Sequence, residues 1–331
     1  MFQKILIALA VFIAIYFVIA SQSLSSIAVS QTEEKGIDFG QAVDADYSGM
    51  PDLTKYMARD GAKLGYRFYA SAASTDRVII LVHGSSWHGM QFHKMASDFA
   101  RSGLGDVVLP DLRGHGPEAV TKGTINHISQ LEEDMADLIE TLKEVHGAKK
   151  EVVLGGHSSG GGFVVRFASG EYGSNADKLI LLAPFLKHDA PTTRPNSGNW
   201  AYPAVRRIIG LSMLNGVGIH TLDFLPVMKF NMPKSILESE LGDTATVEYS
   251  HALNAGFAPR GDYKKDLARL KQPLMLLVGS KDETFFAKEY EPLMSQFVKN
   301  GTYEILDGVD HIGLVFNDDA IGKMSNWISA N

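Results

Sequence analysis

A serine surrounded by glycines is the feature of this 331-residue chain that most clearly points to chemistry. In the stretch GGHSSGGG, Gly156 and Gly160 lie two residues on either side of Ser158, which gives the G-x-S-x-G pattern of a nucleophile elbow. A nucleophile on a sharp strand-to-helix turn sits in strained backbone, and glycines at these two places avoid clashes with the neighbouring chain. The spacing predicts Ser158 as a nucleophile and the backbone N–H of Ser159 as an oxyanion donor. Ser159 fits less well as the nucleophile because His157, and not a glycine, stands two residues before it.

A nucleophilic serine needs a general base, and the base needs a carboxylate that orients it. Downstream of Ser158, Asp282 comes just after the apolar run LMLLVGS, and His311 comes just after the run YEIL. The chain order Ser, Asp, His is the order expected behind a nucleophile elbow. The sequence therefore predicts a catalytic triad of Ser158, Asp282 and His311, with Glu283 as the main alternative for the acid.

The stretch VHGSSWHG supplies a second loop that follows an apolar run. The backbone N–H of Ser85 in this loop is predicted as the second oxyanion donor. Trp87 and His88 from the same loop, with Trp200 and Phe224 further along the chain, are predicted to line a substrate pocket. The three histidines of this region have no carboxylate nearby at ligand spacing, so neither a metal site nor any other cofactor is predicted.

The elements that must position these residues are short apolar runs alternating with helix-like segments. A run rich in Val, Ile and Leu is typical of a strand buried on both faces of a sheet. Residues 128–147 instead place apolar side chains at helical spacing, with Gly147 as the stop. This alternation predicts an α/β fold with a mainly parallel sheet. The predicted strands are residues 61–71, 77–84, 105–116, 150–156, 177–184, 272–280 and 301–308.

The alternation stops between about residues 185 and 266, where aromatic residues, methionine and proline become frequent. A structureless loop of this length inside a compact domain is uncommon. We therefore expect an inserted, largely helical subdomain. Its apolar side chains favour either core packing against the sheet or a pocket for an acyl or aromatic group.

Five stretches, VHGSSWHG, DLRGHG, GGHSSGGG, VGSKDE and GVDHIG, together resemble the successive landmarks of the α/β-hydrolase superfamily. In particular they resemble its branch of serine lysophospholipases, monoacylglycerol lipases and serine aminopeptidases, from about residue 55 to the C-terminus. The resemblance implies the α/β-hydrolase fold, a mostly parallel eight-stranded sheet with flanking helices and an inserted helical lid. It also implies the triad Ser158, Asp282 and His311. The chain departs from common lipases in having a serine, Ser159, where methionine or leucine follows the nucleophile.

The N-terminus differs in composition from the rest of the chain. Lys4 is followed by sixteen apolar residues, Ile5 to Ala20, which is between the length of a signal-peptide core, about 7–15 residues, and that of a membrane span, about 17–25. We expect residues 1–30 to be an uncleaved signal anchor or a removed signal peptide, and residues 31–54 to be a linker. Because the positive charge precedes the apolar run, the domain of residues 55–331 is expected on the exported side of a membrane, or secreted.

The composition and the motifs together predict a function. A net charge of −7 with no basic cluster argues against nucleic acid as a partner, and the absence of cysteine excludes a thiol nucleophile. The predicted function is a serine hydrolase of carboxylic esters, of the carboxylesterase or lysophospholipase type, whose partner is a small ester or lipid. The alternatives are a serine aminopeptidase or amidase that uses Glu238, Glu240 or Asp243, an acyltransferase, or a non-catalytic membrane-anchored binding protein on the same scaffold.

Overall fold

The computed structural model describes residues 16–18, 20–21, 36–147 and 151–331. Most of the predicted signal anchor or signal peptide therefore lies outside the described residues. Within these ranges, no helix combines the length and the apolar character needed to cross a membrane.

Seven of the strands agree closely with the predicted apolar runs, whereas four short ones, the first strand and the three strands of the insertion, were not predicted. In chain order the strands are β1 (Thr54–Met57), β2 (Lys63–Tyr69), β3 (Arg77–Val82), β4 (Asp106–Asp111), β5 (Glu151–His157), β6 (Lys178–Leu182), β7 (Ala201–Pro203), β8 (Pro226–Phe230), β9 (Glu248–Ser250), β10 (Leu274–Gly279) and β11 (Gly301–Leu306). Eight of them form one sheet in the order β1-β2-β4-β3-β5-β6-β10-β11. The sheet is parallel from β4 onwards, and β2 pairs antiparallel with both β1 and β4. The predicted eight-stranded, mostly parallel sheet is thus confirmed.

The centre of the sheet forms the core. Strands β3, β5, β6 and β10 bury almost every residue, as continuous apolar runs in a parallel sheet are expected to do. The helices are α1 (Gly40–Asp44), α2 (His93–Arg101), α3 (Gln130–His146), α4 (Ser159–Ala168), α5 (Val205–Asn215), α6 (Lys234–Leu237), α7 (His251–Gly256), α8 (Tyr263–Arg269), α9 (Tyr290–Met294) and α10 (Asp318–Ala330). Because the central strands are parallel, their carboxyl ends lie at one edge of the sheet, where the loops that carry the predicted site begin.

The insertion between β6 and β10 is only partly as predicted. It contains the helices α5 to α8, but it also contains a three-stranded antiparallel sheet in the order β7-β8-β9. These strands have three to five residues, and β7 and β8 each contain a proline, so they lack the alternation that would have revealed them. The lid is therefore a mixed subdomain and not a purely helical one.

The lead-in before β1 is not a loose linker over its described part. Residues 36–44, which we call the strap, contain α1 and bury Ile37, Phe39 and Ala42 to 5%, 5% and 2% exposure. These apolar side chains stand among polar neighbours in the sequence GIDFGQAVD, and their burial holds the strap against the main domain.

Candidate active site

The turn between β5 and α4 places Ser158 at the carboxyl edge of the sheet. Ser158 has a φ of 54° and a ψ of −120°, a conformation that is strained for any residue other than glycine. Backbone hydrogen bonds hold it in this conformation: its N–H donates to Leu182 (2.8 Å), and its carbonyl accepts from Phe185 (2.9 Å) and Gly162 (3.1 Å). The strain is therefore imposed by β6 and by the first turn of α4.

Two glycines make this turn possible, as the sequence predicted. A Cβ on Gly156 would lie 2.8 Å from the nitrogen of Gly161 and would overlap the carbonyl of Gly160. A Cβ on Gly160 would overlap the carbonyl groups of Val82 and His83 at the end of β3. Helix α4 can therefore begin beside β3 only because both positions lack a side chain.

The loops after β10 and β11 bring a carboxylate and an imidazole together. Asp282 Oδ2 lies 2.7 Å from Nδ1 of His311, and both side chains are almost fully buried. The other carboxylate oxygen of Asp282 accepts hydrogen bonds from the N–H groups of Thr284 (2.8 Å) and Phe285 (2.7 Å). Glu283, the alternative acid, accepts instead from the backbone N–H of His311 (2.9 Å). Of the two candidate acids, Asp282 is the one whose carboxylate contacts the imidazole of His311.

The two histidines beside Ser158 have opposite pKa shifts. Burial by itself would lower the pKa of His311, but the charge and hydrogen bond of Asp282, assisted by the charges of Glu283 and Asp310, raise it above 6.5. Burial, and the charge of His311, lower the pKa of His157 well below its ordinary value. His157 therefore stays neutral, whereas His311 is the more basic of the two imidazoles.

The loop that carries Ser85 is held by the insertion. The indole N–H of Trp200 donates to the Ser85 hydroxyl (3.0 Å), and the Tyr249 hydroxyl accepts from the N–H of Ser86 (2.8 Å). Thr246 donates its N–H to the carbonyl of Ser86 (2.9 Å). Within the described chain we see no hydrogen bond from the Ser85 N–H to another protein group, so this donor is available to a ligand.

Gln91 and His157 link this loop to His311. Nε2 of His157 lies 3.0 Å from the carbonyl of His311, so this nitrogen carries the proton of the neutral ring. Its Nδ1 lies 3.3 Å from the amide nitrogen of Gln91, whose oxygen accepts from the N–H of Gly84 (3.1 Å). A chain of three hydrogen bonds thus fixes the Ser85 loop relative to the His311 loop.

These groups surround one cavity. It is lined by Ser158 and His311 together with Ile37, Phe39, Ala42, Gly84, Ser85, Trp87, Gln91, His157, Trp200, Ile312 and Val315. Two of the four residues predicted for the pocket, Trp87 and Trp200, are in this wall, but the other two are not. Phe224 is 62% exposed and lies outside the cavity because the loop before β8 points it to solvent. His88 is buried behind the wall, where its ring stacks on Trp87 and Nδ1 lies 3.5 Å from Asp111.

Sequence reasoning missed several residues of this site, namely Gln91, Tyr249 and the apolar side chains of the strap. Gln91 could have been noticed as the polar residue in the otherwise apolar stretch GMQF. Tyr249 gives no local signal, because its partner Ser86 is 163 residues away in the chain.

The fold and this site define an α/β hydrolase: a mostly parallel eight-stranded sheet with a serine elbow after β5 and the loops of the acid and the histidine after β10 and β11. Comparisons with known proteins agree. Residues 73–222 match the family described as serine aminopeptidase, S33. The monoglyceride lipase from Saccharomyces cerevisiae, solved as a soluble variant, superposes with a TM-score of 0.67 at 18% identity over 86% of this chain and 96% of the lipase, a likeness that shows the fold.

Two curated proteins are similar to this chain in sequence. The monoacylglycerol lipase of Mycolicibacterium smegmatis is 27% identical over 164 residues, which cover 49% of this chain and 55% of the lipase. The proline iminopeptidase PfmaB of Pestalotiopsis fici is 26% identical over 276 residues, which cover 76% of this chain and 94% of the peptidase. The chain therefore has the α/β-hydrolase fold and is similar to the branch of that superfamily that includes monoacylglycerol lipases and serine aminopeptidases.

Proposed function

We propose that this protein hydrolyses carboxylic esters with an apolar acyl group, with Ser158 as nucleophile, His311 as base and Asp282 as the acid that orients it. The observation that carries the proposal is the 2.7 Å contact between Asp282 and His311 beside a cavity that Ser158 also lines. A carboxylate on Nδ1 fixes the tautomer whose Nε2 is free to take a proton.

In the first half of the reaction, Nε2 of His311 takes the hydroxyl proton of Ser158 while Oγ attacks the ester carbonyl carbon. The carbonyl oxygen becomes an oxyanion, which accepts hydrogen bonds from the N–H groups of Ser85 and Ser159. Ser159 is the first residue of α4, so its N–H has no partner within the helix and lies at the positive end of the helix dipole. The intermediate then expels the alcohol, which leaves with the proton from His311, and an acyl-enzyme remains.

In the second half, His311 takes a proton from water as the water attacks the acyl carbonyl. The second tetrahedral intermediate uses the same two N–H donors. Its collapse releases the carboxylic acid and returns the proton from His311 to Ser158 Oγ. Asp282 stabilises the imidazolium in both halves and keeps its own charge throughout.

The lining of the cavity supports an apolar acyl group. Among the described residues that surround it, none has a carboxylate or a permanently charged side chain, and its wall is formed largely by Ile37, Phe39, Trp87, Trp200 and Val315. A cation placed there would lose its hydration without gaining a counter-charge, which is costly. An uncharged ester with an alkyl or aryl acyl group meets no such cost.

The serine aminopeptidase alternative is favoured by the family match and by the similarity to PfmaB. An aminopeptidase needs an acidic group to bind the free amine of its substrate. The residues predicted for this purpose, Glu238, Glu240 and Asp243, are exposed and lie outside the cavity wall. We therefore prefer the ester substrate.

A panel of p-nitrophenyl esters and aminoacyl p-nitroanilides tests this choice. The proposal expects turnover of the esters, no turnover of the anilides, and loss of activity in Ser158→Ala. Faster cleavage of prolyl or alanyl anilides than of every ester would establish the peptidase instead. Addition of glycerol or butanol to the ester assay separates hydrolysis from acyl transfer, because a transferase forms a new ester in place of the free acid.

We also propose that the apolar run Ile5 to Ala20 anchors the protein to a membrane, with the catalytic domain on the exported side. This proposal rests on the sequence alone: sixteen apolar residues that follow a single lysine, Lys4. An anchored enzyme would meet esters of lipids at the membrane surface.

A further inference from the structure

The cavity beside Ser158 is too small for the proposed substrate. Its volume is about 20 Å³, enough for about one water molecule. Pockets that bind small organic molecules have volumes of roughly 300–1,000 Å³. An ester can therefore reach Ser158 only if part of the wall moves. This inference rests on the proposed function, since it assumes that an ester is the substrate.

The strap fills the space that an acyl group would need. The ring of Phe39 lies between two indoles, with its centroid 5.7 Å from that of Trp87 and 5.5 Å from that of Trp200. Ile37 and Ala42 flank it and line the same cavity. An apolar side chain that lies between aromatic rings beside a nucleophile occupies the kind of environment that suits an alkyl chain.

In the described part of the chain, the strap makes few hydrogen bonds to its surroundings. Its backbone hydrogen bonds are largely internal: the carbonyl of Phe39 accepts from Ala42 (2.9 Å) and Val43 (3.0 Å). Between residues 36–44 and their surroundings in the described chain, we see hydrogen bonds from the Asp38 N–H to Glu283 (3.4 Å) and from the Tyr47 hydroxyl to the Ala42 carbonyl (2.8 Å).

The wall that Trp200 forms is more firmly held than the strap. The indole N–H of Trp200 donates to the Ser85 hydroxyl. The backbone N–H of Trp200 donates to the Ser197 carbonyl (3.2 Å), and its carbonyl accepts from the Asn231 N–H (2.9 Å). Movement of Trp200 would therefore release the loop that carries a proposed oxyanion donor. Movement of Phe39 breaks no polar contact of its side chain and leaves that loop in place.

We propose that Phe39 occupies the acyl-binding site in the free protein and sets which acyl groups enter it. The substrate's acyl chain takes the place of the Phe39 ring between Trp87 and Trp200, and the strap moves outward to make room. The acyl length that the enzyme accepts is then controlled by the size of residue 39, which belongs to the lead-in and not to the lid.

The test is the acyl-length profile of two variants that change the size of this side chain in opposite directions. We expect Phe39→Ala to raise kcat/KM for p-nitrophenyl octanoate relative to the acetate by about tenfold or more, since one methylene in an apolar pocket already changes rates by that order. Phe39→Trp is expected to shift the profile the other way, towards acetate. The matched control is Phe224→Ala, which removes an exposed phenylalanine outside the cavity and should keep the wild-type profile.

Labelling with a small fluorophosphonate distinguishes the failure of this inference from that of the proposed function. Failure of the wild-type protein to label and to hydrolyse any ester would overturn the proposed function itself. If the wild type labels and hydrolyses esters while all three variants keep its acyl-length profile, the proposal for Phe39 is wrong. A shift towards acetate in Phe39→Ala would also contradict it, because the ring would then be a binding partner of the long chain and not its substitute.

Discussion

His311 is fixed through its ring, its N–H and its carbonyl. The ring binds Asp282, the N–H binds Glu283, and the carbonyl accepts from His157. These contacts come from the loop after β10 and from the end of β5, so the orientation of the imidazole does not depend on one neighbour. The raised pKa of His311, however, depends chiefly on Asp282, whose charge and hydrogen bond oppose the effect of burial.

This balance predicts the pH dependence of activity. The proposed reaction needs His311 as the free base, so kcat/KM for a neutral ester should fall on the acid side as His311 becomes protonated, at a pH raised by the upward shift of the His311 pKa. Asp282→Asn removes the main group that raises this pKa, so burial dominates and the acid limb moves to lower pH. The same change favours the wrong tautomer and should reduce kcat by about 10⁴.

The measurement is the pH profile of kcat/KM for the wild type and for Asp282→Asn, with circular dichroism to verify that the variant is folded. An acid limb at the same pH in both proteins would show that Asp282 does not control the charge of His311.

At the scale of single residues, the sequence predicted the positions that a motif and the chain order identify. Ser158, Asp282 and His311 each follow an apolar run, so their position at one edge of the sheet could be expected. The hydrogen bond between Glu283 and the backbone N–H of His311 could not be expected, because it depends on the path of the loop that turns the carboxylate towards His311. Phe224 was misjudged because aromatic character does not tell which way a loop residue points.

The elbow between β5 and α4 is the element on which the site depends most. Gly156→Ala should destabilise the protein by about 3 kcal/mol or more and abolish activity, because its Cβ would overlap backbone atoms that cannot retreat. Gly322→Ala is the matched control: this glycine lies inside α10 with nothing within 4 Å of the added Cβ, so alanine should stabilise the protein by about 0.5–1 kcal/mol. Urea unfolding of both variants checks the contrast, and wild-type stability of Gly156→Ala would refute this account of the elbow.

The contact between the insertion and the Ser85 loop predicts that the lid assists catalysis from a distance. Tyr249→Phe removes the hydroxyl that accepts from the Ser86 N–H and leaves this buried donor without a partner. We expect kcat to fall by about tenfold, less than the 10²–10³ that loss of an oxyanion donor costs, with little change in KM. A boronic acid that mimics the tetrahedral intermediate should lose affinity by the same factor. An unchanged boronate affinity alongside reduced stability would mean that Tyr249 is merely structural.

The elements of the main sheet could be read from the sequence because a parallel strand buried on both faces is a continuous apolar run. The sheet of the insertion could not be, because its strands are short and antiparallel and are interrupted by proline. The contacts of Tyr249 and Trp200 with the Ser85 loop could likewise not be predicted from the sequence, since they join residues more than 100 positions apart.

At the scale of the whole molecule, the sequence predicted the order of the domain and the insertion but not the position of the lead-in. Residues 31–54 have the largely polar composition of a linker, and the apolar residues scattered through them, Ile37, Phe39 and Ala42 included, give no local sign of which ones are buried. Their burial depends on a cleft formed by Trp87 and Trp200, two residues that are distant from each other in sequence. A local pattern cannot report such a cleft.

The proposed anchor makes a prediction for the full chain. Expressed in bacteria, the 331-residue protein should sediment with membranes and resist extraction by high salt, whereas a chain that begins at Thr32 should be soluble and active. Membrane fractionation followed by mass analysis of the N-terminus is the measurement. A soluble protein that retains Met1 would contradict the anchor, and a soluble protein that lacks the first 20 to 28 residues would establish a signal peptide, as expected for cleavage after a short apolar core.

The central claim is that Ser158 is a nucleophile activated by His311. The most direct test is to react a fluorophosphonate with the wild type, Ser158→Ala and Ser159→Ala, and to locate the adduct by peptide mass spectrometry. We predict one adduct on Ser158 in the wild type and in Ser159→Ala, and none in folded Ser158→Ala. An adduct on Ser159, or no adduct on the folded wild-type protein, would contradict the account.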